Sequence, residues 1–348
     1  MQPPCIIGGE SIAAGTRGVV RLPLPDFYTH APTTMPVHII RGKQAGPCLL
    51  ITSALHGDEI NGVEIIRRLS GHPSVARIKG TLILIPVMNV FGFVSQSRYL
   101  PDRRDLNRSF PGSPKGSMAA RLANLVVTEV LPLCTHMIDL HTGAVARENL
   151  PQIRAAFTGN PELEALAKAF NAPVVLDAPL RDGTFRETAQ KRGIPSLVYE
   201  AGEALRFDEL SVRAGVAGIL NVMSHLGMIR KRILRKAHTP LVAKSTQWVR
   251  APQSGVLRSV TVLGAKVTAG ERLALIGDPF GDHEEEVISP VAGIVIGRTR
   301  VPLVHEGEAL FHIAKFAQPS AAAESIESFQ DAFDPETGTS ETEEPPLI

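Results

Sequence analysis

LLITSALHGDEINGVE, residues 49–64, decides how this chain is read. Leu49 to Leu55 is a strand-like apolar run with small polar interruptions, and it ends in the polar cluster His56–Gly57–Asp58–Glu59. Apolar residues then recur at Ile60, Val63, Ile66 and Leu69, at the three- and four-residue steps of one helix face. The pattern predicts a strand, a polar turn and a helix, with His56 at the strand end and Glu59 in the first helical turn. Residues three apart there share a face, so an imidazole nitrogen and a carboxylate can converge on one divalent cation. Zinc accepts both ligand types. The competing reading is a solvated helix start at which Asp58 and Glu59 complement the helix dipole. The rest of the chain chooses between them.

At 348 residues the chain can bury one large core and a smaller domain. It carries 36 basic and 35 acidic side chains, a net charge of +1, which gives no electrostatic case for nucleic acid or an anionic membrane. Cys5, Cys48 and Cys134 are an odd and widely spaced set, read as reduced thiols of a cytoplasmic protein rather than a disulfide framework. Neither a signal-like N-terminus nor a run of membrane length is present. Thirty glycines and 27 prolines argue for many turns and against an all-helical fold.

Residues 1–46 carry short β-branched runs broken by Gly and Pro, as in an edge hairpin leading into a sheet. TLILIPVMNV, residues 81–90, is almost wholly apolar, as expected of a parallel strand covered on both faces. The loop over 92–112 holds four arginines, Arg98, Arg103, Arg104 and Arg108, against Asp102 and Asp105. A polar loop of this length inside a compact domain is functional or disordered. Its aromatics and the Pro111–Gly112 turn argue for order, and its arginines suit a carboxylate or a polarised carbonyl. After a helix over 116–131, the strand THMIDLHTG sets His141 near its carboxyl end, with Asp139 on the same face as a candidate outer partner. His136, at the other end, reads as a packed or surface histidine. SLVYEAG, residues 196–202, places Glu200 at another strand end, where a carboxylate is costly without metal chemistry or a partner such as Arg186. Residues 203–229 form a long helical stretch closing the first domain.

The basic tract over 230–236 reads as a solvated linker. Beyond it, two segments resemble each other, from Ala251 and from Ser289: Pro252 and Gly255 match Pro290 and Gly293, and Gly270–Glu271 match Gly307–Glu308. An internal two-fold repeat of β-hairpin units is expected, in a small barrel or sandwich that looks like the biotinyl/lipoyl carrier fold. The turn over 279–282 has no lysine to modify, so a scaffold, an oligomer contact or a pocket wall is the expectation. Residues 316–348 hold eight acids and no Lys or Arg, and are expected to be disordered. The domain plan is therefore 1–235 α/β, 236–315 all-β and 316–348 tail.

Open α/β sheets place their sites outside the carboxyl ends of strands. Three such ends present His56 with Glu59, His141, and Glu200, and the arginine loop lies between the first two. Two histidines and a glutamate make a metal shell with a position left for water. Glu200 suits the base that takes the water's proton, an arginine suits the developing oxyanion, and an Asn–Arg pair suits a substrate carboxylate.

These residues resemble the succinylglutamate desuccinylase/aspartoacylase family, related to the zinc carboxypeptidases. His56-Gly57-Asp58-Glu59-Ile60-Asn61-Gly62 is similar to that family's HxxExxG segment, and Asp105-Leu106-Asn107-Arg108 to its DLNR segment. Asp139-Leu140-His141 supplies the remaining ligand, and Glu200 in YEAG stands where the family keeps its catalytic glutamate. The resemblance spans roughly residues 30 to 315 and implies a mixed α/β sheet flanked by helices, followed by the smaller all-β domain. It implies one zinc per chain on His56, Glu59 and His141, water activation by Glu200, and a carboxylate held by Asn107 and Arg108. Arg98 would polarise the scissile carbonyl. The spacing from Arg98 to the DLNR segment exceeds that of aspartoacylase, which keeps Arg103 as a rival; Arg186 is a further candidate substrate contact or a helix-start ion pair. The expected activity is deacylation of a small N-acylated amino acid or amine by a cytoplasmic enzyme of the broad bacterial deacylase branch. No nucleic acid or membrane partner is expected, and a homo-oligomer is compatible with the sequence. A small-peptide metallocarboxypeptidase and a non-catalytic metal-binding relative are the alternatives.

Overall fold

A computed structural model describes residues 4–231 and 240–334 of the chain. The N-terminal segment makes two antiparallel hairpins, β1 (Cys5–Ile7) with β2 (Glu10–Ile12) and β3 (Arg17–Pro23) with β4 (Thr34–Arg41). β5 (Gln44–Ser53) leads through the HGDE turn into α1 (Asn61–Gly71), and β6 (Lys79–Ile85) follows. The strand expected to reach residue 90 stops at Ile85, because Pro86 has no N–H with which to continue the ladder. A short α2 (Val90–Val94) opens the arginine loop, and α3 (Met118–Glu129) closes it, its first turn capped by Ser117 accepting the Ala120 N–H. β7 (His136–Gly143) turns directly into β8 (Arg147–Ala155). Then come α4 (Pro161–Phe170), β9 (Val174–Asp177), α5 (Phe185–Lys191), β10 (Ser196–Glu203) and α6 (Glu209–His225). The stretch expected to be helical over 203–229 narrows to α6, which starts where Asp208 accepts the Ser211 N–H.

The large sheet has β6, β5, β7 and β10 side by side and parallel, with antiparallel strands beyond them at both flanks. Successive side chains of a strand point to opposite faces, and β5 feeds two cores accordingly. Leu49 and Ile51 pack with α1, α4 and α6 residues such as Ile65, Phe170 and Val216. Leu50 packs on the other face with Leu122, Val126 and Phe185 of α3 and α5. Cys5, Cys48 and Cys134 are unpaired thiols, all on this second side. No helix among the described residues is long and apolar enough to cross a membrane.

The C-terminal half adds β11 (Leu241–Ala243), β12 (Ser245–Arg250), β13 (Gly255–Ser259), β14 (Lys266–Val267), β15 (Arg272–Gly277), β16 (Glu284–Ile288), β17 (Gly293–Thr299), β18 (Leu303–Val304) and β19 (Ala309–Lys315). β14 pairs with β17 and β18 with β13, so the short middle strand of each similar segment lies against the first strand of the other. A core of its own, including Leu257, Leu273, Ile276, Val295 and Phe311, fills this β unit. The large sheet nevertheless runs on into it. β8 pairs along one edge with β17 near Asn149 and with β9 from Gln152 onward, and β11 pairs with β9. The boundary expected at 235/236 lies outside the described residues, and hydrogen-bonded strands join the segments that flank it.

The expectation of a disordered tail is corrected over its first half. Pro319–Phe333 form α7, whose Ala322, Ile326 and Phe329 are buried. Ala322 and Ile326 cover the seam between the units, in a cluster with Leu150, Val174, Ala243, Ile294 and Ile296. Acidic composition masked a stripe at four- and three-residue steps, in which burial of Ile326 or Phe329 is worth about 1.5–3 kcal/mol each. Residues 335–348 lie outside those described.

Candidate active site

The chain turns sharply where β5 ends. Ala54 is buried with φ 46°, a left-handed conformation that costs a non-glycine residue free energy. Backbone bonds hold it there: Met88 N donates to Ser53 O at 3.0 Å and Asn89 N to Ala54 O at 2.9 Å. Gly57 lies so close to the Gly92–Phe93 backbone that a Cβ would sit 2.0 Å from the Gly92 carbonyl carbon. The HGDE segment is this turn and not the helix itself, since α1 begins at Asn61. Glu59 N donates to His56 O at 3.1 Å, and that tight turn brings the two side chains together.

His56 Nδ1 lies 2.7 Å from Glu59 Oε1, and His141 Nδ1 lies 2.7 Å from Glu59 Oε2. Candidate ligand atoms of the three residues are all within 4.8 Å of one another, and all three residues are buried. The outer nitrogens are held as well: His141 Nε2 by Asp139 at 2.8 Å and His56 Nε2 by Asp105 at 3.2 Å. Thr52 Oγ1 donates to Asp139 at 2.6 Å, fixing that carboxylate in turn. Carboxylates behind metal-binding histidines fix the ring orientation and raise its basicity. Asp139 reaches the outer nitrogen of His141, as its place on that strand face allowed, whereas Asp105 had been read only as part of the DLNR segment.

Burial works against charge at every member of this cluster, yet mutual attraction prevails. Burial raises the Glu59 pKa, but the two imidazoles more than offset it and hold the carboxyl well below the usual range. Burial lowers the pKa of both rings, and Glu59 with Asp105 at His56, or Asp139 with Glu59 at His141, pulls it up beyond the ordinary 6.5. Each ring has a carboxylate at both of its nitrogens, whereas a neutral imidazole carries only one N–H, so positive charge is required among them. Either protons on both rings or one shared divalent cation supplies it. The donor set therefore fits a metal ion by its own chemistry.

Glu200 and His141 are directly paired across β10 and β7. The Glu200 carboxylate accepts from Asn149 Nδ2 at 2.9 Å, and Arg154 Nη1 lies 3.4 Å away. The ion-pair partner suggested for it, Arg186, is replaced by Arg154, because β8 runs antiparallel beside β10 and sets Arg154 next to Val198, two residues before Glu200. Arg98 leans over the cluster, with Nη2 2.9 Å from Asp105 and Nη1 3.4 Å from Glu59. Arg103 does not reach the site. It is exposed at φ 62°, in a turn closed by its own N–H donating to Leu100 O.

A cavity of about 340 Å³ opens beside the cluster, lined by His56, Glu59, His141, Glu200, Arg98, Asn107, Arg108 and Arg186 among others. Asn107 Oδ1 accepts the Phe185 N–H at 3.0 Å, tying the DLNR segment to the start of α5. Arg186, one residue on, donates to Pro179 O at 2.9 Å, while its other terminal nitrogen, Nη1, is buried without a partner. Burial, reinforced by the Arg154 charge, lowers its pKa to about 10. Arg147, Arg154, Arg181, Trp248 and Arg298 also line the cavity, with Glu148 paired to Arg298, and none of these was singled out from the sequence. Only Arg147 and Arg154 carried a usable signal, as charged residues on the strand that follows His141.

Residues 45–226, just over half of the chain, match the family model of the succinylglutamate desuccinylase/aspartoacylase catalytic domain. The chain belongs to that family. The match contains both histidine segments, the DLNR segment and Glu200. A relative from Halomonas elongata, N-alpha-acetyl-L-2,4-diaminobutyric acid deacetylase, is 27% identical over 318 residues, covering 86% of this chain and 92% of its own. A succinylglutamate desuccinylase/aspartoacylase structure from Rhodobacter sphaeroides superposes with a TM-score of 0.77 at 27% identity, covering 87% of this chain and 95% of that one. The product-bound ectoine utilization protein EutE (DoeB) from Ruegeria pomeroyi does so with 0.78 at 26% identity, covering 86% and 95%. The large mixed sheet flanked by helices is thus the family's fold.

Proposed function

We propose that this chain is a zinc-dependent amidohydrolase that removes the acyl group from a small N-acyl amino acid. The observation that carries the reading is the convergence of His56, Glu59 and His141 on one point, with Glu200 paired beside His141 on the adjacent strand. Zinc held by the three residues would supply Lewis acidity and lower the pKa of water toward about 7. Glu200 takes the proton of the attacking water and returns it to the leaving amine nitrogen, a role suited to a carboxylate kept in place by Asn149 and Arg154. Arg98 turns a guanidinium toward the carbonyl oxygen as it gains negative charge. Asn107 and Arg108 hold the substrate carboxylate, with Arg186 as a further cation in the same wall.

The character of the wall supports an anionic substrate. Arg108, Arg147, Arg181 and Arg186 line the cavity, and none has a carboxylate within 4.0 Å among the described residues. The Halomonas elongata relative acts on an acetylated amino acid, which agrees with this reading. Trp248 and Arg298 of the β unit wall the cavity, which favours a small substrate over the open groove that a carboxypeptidase acting on peptides would need. The same position makes the β unit a pocket wall rather than a carrier. A non-catalytic relative is disfavoured because the chain keeps the candidate metal ligands together and a candidate base beside them.

The test is release of primary amine from a panel of N-acyl amino acids by the zinc-loaded wild type and by Glu200→Gln, with metal content measured on both. The expected outcome is turnover by the wild type, and a kcat lower by about 10²–10⁴-fold in the variant with zinc retained. Full activity in Glu200→Gln would remove the base from the mechanism.

A further inference from the structure

Trp248 belongs to two cavities at once. It lines the metal-side cavity and also a neighbouring depression of about 510 Å³, whose walls include Arg147, Arg250, Glu306 and Glu308. Arg147 is the other residue common to both. Together they form the partition between the two spaces. Trp248 keeps 41% of its surface exposed although it sits in strand β12.

The partition is braced. Trp248 pairs directly with His312 of β19, and the two rings stack with centroids 4.2 Å apart and planes 2° from parallel. His312 is buried, and its Nδ1 has no partner. Burial, together with the Arg154 charge, lowers its pKa to about 3, so the ring behind Trp248 is an uncharged, flat backing. The Arg147 side is pinned too: Ala146 N donates to Glu203 at 3.0 Å, and Arg300 N donates to Ala146 O at 2.8 Å. A flat ring stacked on a buried partner loses few degrees of freedom when a ligand meets it and makes a firm stop.

We infer that Trp248, with Arg147, is the residue that sets how long an acyl group the site accepts. This rests on the deacylase reading above. The amino-acid half of the substrate is drawn to Asn107, Arg108 and Arg186, which the Asn107–Phe185 bond keeps together. The acyl half is then left for the wall made by the β7–β8 turn and Trp248. Short acyl groups fit within the 340 Å³ cavity, and longer ones meet the indole ring. Replacing that ring with a methyl group joins the cavity to the depression beyond it.

The experiment measures kcat/KM for one amino acid carrying straight-chain acyl groups of increasing length, with zinc-loaded wild type, Trp248→Ala and Trp248→Phe. The wild type is expected to lose at least about tenfold once the chain passes the limit. Trp248→Ala is expected to move that limit by several carbons, and Trp248→Phe, which keeps a stacked ring, to stay near it. Identical length profiles in wild type and Trp248→Ala would overturn the inference. Trp248 is the only tryptophan of the chain, so wild-type fluorescence provides a second readout that needs no turnover. Emission that shifts with increasing acyl length supports contact at the ring, even if no amine is released and the deacylase reading itself fails. Emission unchanged by every ligand that binds, as judged by calorimetry, overturns it.

Discussion

The two sides of the cavity handle charge in opposite ways. On one side, His56, Glu59 and His141 are wrapped by Asp105 and Asp139, and each polar atom of the cluster meets another of the protein's own groups. On the other side, Arg108, Arg147, Arg181 and Arg186 stand without carboxylate partners among the described residues, and one nitrogen of Arg186 is buried and unsatisfied. Leaving a buried donor unpaired costs about 1–3 kcal/mol, which a protein keeps when a ligand repays it. Under the proposed function, the first side would hold a metal cation and the second an anionic substrate that comes and goes. Their difference sorts the residues into those that set metal retention and those that set substrate affinity.

That separation can be broken by substitution. Arg186→Met is expected to raise KM for acidic N-acyl amino acids by about 30-fold or more, the effect of removing one member of a buried charged contact, while zinc content stays at the wild-type level. Steady-state kinetics with metal analysis checks this, and a loss of zinc would show that the two sides are not independent. Asp139→Asn acts on the opposite side. It is expected to weaken zinc binding by about 10–100-fold, since the ring of His141 loses its outer carboxylate; competition against a chromogenic chelator reads the change, with KM at saturating zinc left near wild type. The smallest effect is one of pH. Because Glu59, Asp105 and Asp139 outweigh burial and raise both histidine pKa values above 6.5, zinc must displace protons near neutrality. Apparent zinc affinity should climb as pH rises through and beyond 6.5, while product affinity at Arg186, whose pKa of about 10 lies far above that range, stays flat. Titrations at several pH values test both halves of that statement.

The sequence showed the first side far more clearly than the second. His56, His141 and Glu200 end apolar runs, and apolar runs ending in a polar residue are legible because parallel strands are buried on both faces. β5, β7 and β10 turned out to be neighbours, so three strand ends read separately became one site. Arg108 and Arg186 of the arginine wall were also named from the sequence, whereas the parts of the wall made by β8 and the β unit depend on antiparallel additions. Arg154 meets Glu200 only because β8 reverses beside β10, and Trp248 and Arg298 reach the cavity only because β17 continues the sheet from β8. No local pattern announces which edge a strand will join. Arg98 was preferred in sequence with Arg103 kept as a rival, and a turn at φ 62° leaves Arg103 exposed and away from the cavity. The helix Pro319–Phe333 was hidden for another reason: acidic composition suggested disorder, while Ala322, Ile326 and Phe329 carried a weak stripe that mattered only once there was a seam to cover.

The central claim is that His56, Glu59 and His141 hold one metal ion. Elemental analysis of zinc-reconstituted and desalted protein tests it most directly, on the wild type and on His141→Ala with its fold checked by circular dichroism. One zinc per chain is expected in the wild type, and none retained by the folded variant. A wild type that keeps no zinc, or a His141→Ala protein that keeps as much, would contradict it.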